Sequence, residues 1–151
     1  MDGVPVLHTH FRWEPSTLSI LKAKLGSCES QTAFEYATLF MVLVTFDSTL
    51  RKSGAVIKGD NLSSLNEALR LKSTVPGMNT ISREISWRKV AYRWQYDLAH
   101  LPSELNDEAD ALSRLYAVPK REMPIDLLKT SSFVAPPQQT ASLWRARISY
   151  D

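Results

Sequence analysis

Between Glu29 and Asp47 the chain carries one charged residue, Glu35, and the apolar side chains from Phe34 to Phe46 would cover every side of a helix rather than one stripe. A helix of that kind has to be enclosed by other elements. It predicts a layered domain around one long helix running from about Ser30 to Leu50, with Ser30 placed as its N-cap. The apolar run itself, Ala37 to Phe46, is half of the roughly 20 residues that a bilayer span requires. The first residues lack a basic stretch followed by an apolar one, so no secretory signal is read there. The expectation is an intracellular protein, in cytoplasm or nucleus, with no membrane partner.

With 151 residues, 44% of them hydrophobic and 23% charged, the chain has the length and composition of one packed domain plus a tail. Its single cysteine, Cys28, excludes an internal disulfide framework and a cysteine-based zinc knuckle. Lys and Arg total 18 against 16 Asp and Glu, a net charge of +2. A nucleic-acid partner therefore has to be argued from a local site and not from bulk charge.

Around the long helix the pattern reads as follows. Val4 to Trp13 alternates and is rich in β-branched and aromatic residues, which predicts a strand, and Asp2-Gly3 before it is a hairpin-turn signal. Glu14 to Lys24 reads as a short helix or an irregular connector. Gly54 closes the long helix, and Ala55 to Gly59 is a short strand that stops at Asp60. Leu62, Leu65 and Leu69 mark a helix to about Leu71, and Ser73 to Gly77 a loop. A helix from Asn79 to Trp94, a strand from Tyr96 to Leu101 ended by Pro102, and a helix from Asn106 to Tyr116 complete the order. Strands alternating with helices give an α/β or α+β layered domain. Beyond Ala117 four prolines (Pro119, Pro124, Pro136, Pro137) and a Ser, Thr and Gln-rich run predict a linker-like tail over 118–151, ending in the patch Leu143-Trp144-Arg145-Ala146-Arg147.

Three carboxylates share one kind of setting. Glu35 stands at the start of the apolar helix, Asp60 at the end of a strand, and Asp110 in the first turn of a helix that follows a strand. Strand ends and helix starts are where an α/β sheet presents its site. Carboxylates gathered there repel one another and need a counter-charge. A hard divalent cation such as Mg²⁺ supplies it through oxygen ligands, and two such ions about 3.5–4 Å apart can hold an attacking water and the leaving oxygen of a phosphodiester.

On these residues the sequence resembles the ribonuclease H domain of retrotransposon reverse transcriptases. Asp60-Asn61 closes the strand AVIKG, and the run from His100 to Arg114 follows the pattern H-x-P-x-x-x-N-x-x-A-D-x-L-S-R. Ser30 to Glu35 is similar to the family's helix that carries a catalytic glutamate. The resemblance implies a ribonuclease H-like mixed sheet flanked by helices over 1–117. It implies hydrolysis of the RNA strand of RNA–DNA hybrids with Mg²⁺ or Mn²⁺, two ions in the intact site. Glu35, Asp60 and Asp110 would be catalytic metal ligands, and a polymerase domain would stand upstream in the parent polyprotein. The family has four carboxylates in the order Asp, Glu, Asp, Asp, and nothing here matches the first. Asp47 lies about 18 Å along the helix from Glu35 and cannot share its ion. The domain is thus expected to lack its first strand, and the chain alone to have little or no nuclease activity.

Other features have plainer readings. His8 and His10 lie on one strand face, which zinc would accept, but no third ligand is visible. His100 reads as an ordinary strand-end histidine, with help in product release near the metals as the alternative. The helix with Arg83, Trp87, Arg88, Lys89, Tyr92 and Arg93 mixes bases with aromatics, as a nucleic-acid contact would. Its apolar residues fall on two sides, which burial against a sheet explains. The second hypothesis is a catalytically dead remnant that acts as a nucleic-acid-binding or interaction module, or that has no present role.

Overall fold

The computed structural model describes residues 5–27, 30–61, 66, 70, 76–116 and 122–144. The Asp2-Gly3 turn, Cys28, the leucine-marked helix after Asn61 and the two arginines of the final patch lie outside the described residues.

The elements in chain order are β1 (Leu7–His8), α1 (Pro15–Leu21), α2 (Gln31–Thr45), α3 (Asp47–Lys52), β2 (Ala55–Gly59), α4 (Pro76–Ala91), β3 (Tyr96–His100), a 3₁₀ turn (Ser103–Leu105), α5 (Asp107–Ser113), α6 (Ile125–Thr130), β4 (Ser132–Phe133) and α7 (Ala141–Trp144). The result is an α/β arrangement with small sheets. β2 pairs in parallel with β3, from Ala55 opposite Tyr96 to Gly59 opposite His100, and β1 pairs in parallel with β4. All the described pairings are parallel, where the sequence led to a mixed sheet. No helix among the described residues is long and apolar enough to cross a membrane.

α2 is the central helix that its composition requires. Ala33, Tyr36, Ala37, Phe40, Met41 and Leu43 are buried, and Tyr36 hydrogen-bonds Ser82 of α4 through its hydroxyl at 2.8 Å. The predicted single helix to Leu50 is instead two. At Phe46 the backbone leaves helical geometry (φ −102°, ψ 27°). Just before it the Thr45 hydroxyl donates to the Met41 carbonyl at 2.7 Å, the kind of back-bonding that bends a helix. α4 starts earlier than the loop reading of Ser73 to Gly77 implies, because Pro76 suits a first helical position. Gly77 follows it where α4 crosses α1 so closely that a Cβ would overlap the Leu21 carbonyl.

The long strand expected over Val4 to Trp13 is reduced to Leu7–His8. Past Thr9 the backbone polar groups are met by a side chain instead of a neighbouring strand. The Gln139 amide donates to the Arg12 carbonyl, and its oxygen accepts from the Glu14 N–H at 3.0 Å. This places residues 122–144, read from composition as part of a linker, against the rest of the protein. Trp144 is fully buried, 5.0 Å from the Phe40 ring, and its indole N–H donates to Thr17 at 3.1 Å. Arg88 of α4 donates to the Leu143 carbonyl at 3.0 Å while paired with the buried Glu84. The linker reading therefore does not hold for 122–144. Proline and glutamine lower the local hydrophobicity, but one large aromatic at the end of the run fills the core.

Two predictions follow from this packing. Trp144→Ala should cost about 3–5 kcal/mol of stability, the range for a truncated core aromatic, read from urea unfolding; a loss under about 1 kcal/mol would contradict a core role. The second concerns Asp47. Partial burial by itself raises its pKa, but the Arg51 guanidinium at 2.7 Å and the Trp94 indole at 2.6 Å, with the charge of Arg88, outweigh it and hold the carboxyl below its ordinary range. A depressed carboxylate adds stability above its unfolded pKa, and that stability fades as pH falls through the folded value. Asp47→Asn should therefore lower stability at neutral pH, and the gap to the parent chain should close on acidification below 3.8.

Candidate functional site

The parallel register of β2 and β3 brings the sequence-predicted acids to one end of the strand pair. Gly59 lies opposite His100, and the Leu101 N–H continues the pairing by donating to the Gly59 carbonyl at 2.8 Å. Asp60 therefore leaves β2 where the chain leaves β3 for the 3₁₀ turn and α5. α5 starts at Asp107, and Asp110 stands in its first turn, where its N–H donates to the Asn106 carbonyl at 3.0 Å. On α2, Gln31, Glu35, Thr38 and Val42 lie at spacings of four, three and four and form one stripe.

These elements enclose a cavity of about 820 Å³ that Glu35, Asp60 and Asp110 all line. Phe34, Leu39, Val42 and Ile57 form its apolar wall, and Lys58 and Arg114 add two positive charges. The three carboxylates named from sequence thus share one cavity. Within it each of two has a protein partner. Gln31 donates to Glu35 at 2.9 Å, and Arg114 donates to Asp110 at 3.0 Å as an ion pair one helical turn apart.

A resident pair of divalent ions does not fit this arrangement. The donors are carboxylate oxygens, which suit hard cations. Yet among the described residues no three His, Cys, Asp or Glu side chains come close enough together to hold an ion. The electrostatic need for a counter-charge is met in part by Arg114 and Lys58 instead.

The other titratable candidates fall elsewhere. His100 ends β3 exposed and does not line the cavity. Asp47 ties α3 to Trp94. His8 and His10 stack with ring centres 6.4 Å apart beside Phe133 of β4. The Ser131 hydroxyl gives its proton to the Leu127 carbonyl, so the His8 Nδ1–H is the donor to Ser131 at 2.7 Å. Burial, with the neighbouring His8, pulls the His10 pKa down. This histidine pair joins the N-terminal segment to β4, and among the described residues it has no third ligand.

Lys58 and Thr38 were not singled out in the sequence. Thr38 was legible as the next member of the Glu35 stripe. Lys58 carried no signal beyond its outward position in β2. No family model matches the chain, and neither the curated proteins nor the solved structures give a significant match.

The Arg114–Asp110 pair is more than a third exposed on both sides (57% and 37%), so it adds little to stability. Arg114→Ala should shift the unfolding free energy by about 0.5 kcal/mol or less, measured by urea denaturation. A loss of several kcal/mol would show that Arg114 supports the cavity wall as well as the charge.

Proposed function

We propose that the chain is a ribonuclease H-like domain of retrotransposon origin that engages nucleic acid and, by itself, does not hydrolyse the RNA strand of an RNA–DNA hybrid. The first half is supported by the His100–Arg114 motif and by the cavity at the carboxyl ends of a parallel strand pair, lined by the three acids that the motif family would use. The second half is supported by one observation, that the same acids share the cavity without gathering into an ion-holding group. Two-ion phosphodiester cleavage requires ligands that hold both ions about 3.5–4 Å apart. Here Asp110 is held by Arg114 and Glu35 by Gln31.

The remaining roles are those of binding. Lys58 and Arg114 offer charge-assisted hydrogen bonds to a phosphate, and Asn106, which also lines the cavity, offers a neutral one. Contacts of this type grip backbone and shape and not sequence. A second reading, the competent nuclease with Mg²⁺ or Mn²⁺ on Glu35, Asp60 and Asp110, is favoured by the shared cavity alone.

The test is incubation of the full chain with a labelled RNA–DNA hybrid in Mg²⁺ and, separately, in Mn²⁺. Product formation should not exceed that of Glu35→Gln or Asp110→Asn. Cleavage that these substitutions abolish would overturn the inactive reading and establish the competent one.

A further inference from the structure

We infer that the end of the β2–β3 pair opposite the carboxylate cavity is a nucleic-acid backbone-binding face carried by Arg51, Lys52, Lys89 and Arg93. The inference rests on the nucleic-acid reading above and supplies its contact surface.

Two turns are locked together at that end. The Gln95 N–H donates to the Leu50 carbonyl at 3.2 Å, and the Ala55 N–H to the Gln95 carbonyl at 3.1 Å. Gly54, at φ +71°, lets Gln95 approach where a Cβ would stand 3.1 Å from its carbonyl oxygen. The last turn of α3, with Arg51 and Lys52, is thereby held beside the end of α4 and Arg93. Aromatic rings lie under the cations. The Arg51 guanidinium sits 4.2 Å from the centre of the Tyr92 ring, and the Lys89 ammonium 4.8 Å from that of Tyr96. Trp87 braces Tyr92 edge-on at 5.7 Å.

Charge is sorted between the two ends of the strand pair. Among the described residues the face holds two carboxylates: Asp47, which is bonded to Arg51 and Trp94, and Asp97, exposed on β3. The opposite end carries the three cavity carboxylates, joined by Glu104, Asp107 and Glu108, with Lys58 and Arg114 among them. Around this strand pair, among the described residues, carboxylates are thus concentrated at one end and Arg51, Lys52, Lys89 and Arg93 at the other, in a chain of net charge +2.

The plain explanation of cations at helix C-termini is the helix dipole, and it covers Arg51, Lys52 and Lys89. It does not cover Arg93. That residue lies past the end of α4 at φ 55°, in the left-handed region where glycine is the low-cost choice. Nor does it account for rings placed beneath the charges. Arg51, packed on Tyr92 and bonded through Nε to Asp47, is held in one place beside Arg93, with its other guanidinium N–H groups as donors to a phosphate. β2 spans five residues, about 16 Å, so a duplex strand at 3.4 Å per step could meet both the face and the cavity.

The test uses the full chain in EDTA, with anisotropy of a labelled RNA–DNA hybrid read across a salt series. The parent chain should bind with a steep loss of affinity as salt rises. Arg93→Gly should bind several-fold more weakly, with a log–log salt slope smaller by about one. Its melting temperature should be equal or higher, because glycine relieves the left-handed backbone, so weaker binding cannot be ascribed to unfolding. Lys52→Ala with Arg93→Gly should weaken binding further, while Lys129→Ala, which removes an exposed cation from α6, should not weaken it. Parent-like binding by the double variant would overturn the face and leave the nucleic-acid reading standing. Absence of hybrid binding by the parent chain would overturn both, as would binding to phosphatidylserine vesicles in place of the hybrid.

Discussion

The parallel pairing of β2 with β3 is the constraint on which the chemistry of this protein depends. Two parallel strands cannot be joined by a tight turn, so the chain must cross back between them, here by way of α4. Both strands then start at one end and finish at the other. Everything that follows a strand, including Asp60, the 3₁₀ turn and α5, gathers at the finishing end. Everything that precedes one, including the ends of α3 and α4, gathers at the starting end. An antiparallel pair would have mixed the two sets. The parallel one places Asp60 and Asp110 at one end and Arg51, Lys52, Lys89 and Arg93 at the other.

The separation has a cost that other parts of the fold carry. The sheet is small, and its outer face is open at Val56, which is 60% exposed. Most of the core lies away from it, where α2, α1, α4 and α7 meet around Phe40, Ile81, Ile85 and Trp144. Trp144 comes from a segment far along the chain. That segment is held by the Trp144 indole on Thr17, by Gln139 on Glu14 and by Arg88 on the Leu143 carbonyl. Arg88 is 8% exposed and its partner Glu84 3%. Buried charges of that kind are tolerated only when every partner is in place. The position of the C-terminal segment and the integrity of the helical layer are therefore coupled.

How far the candidate site could be read from sequence differs by residue. Asp60 was placed well because a five-residue β-rich run ending at a helix-incompatible Gly-Asp leaves little freedom, and β2 ends at Gly59 as the pattern implies. Asp110 was placed because a strand, a proline and an Asn-Asp-Glu helix start follow one another within one short stretch. Glu35 was placed because it is the one charge on an otherwise apolar helix. None of these local signals carries information on whether three oxygens approach within coordination distance. That distance depends on how α2 and α5 tilt against the strand ends, and on Gln31 and Arg114, which engage two of the acids.

By itself the sequence determined the layered α/β character, the enclosed α2 and the strand-end position of the acids. These follow from periodicity and from residue preferences that act within a few positions. Tertiary structure alone decided that the proline-rich segment closes the core. It also decided that the acids share a cavity without forming an ion-holding group, and that cations from two separate turns meet over Tyr92 and Tyr96. Each of these depends on contacts between residues far apart in the chain, whose energies come from packing and charge pairing and leave no trace in local pattern.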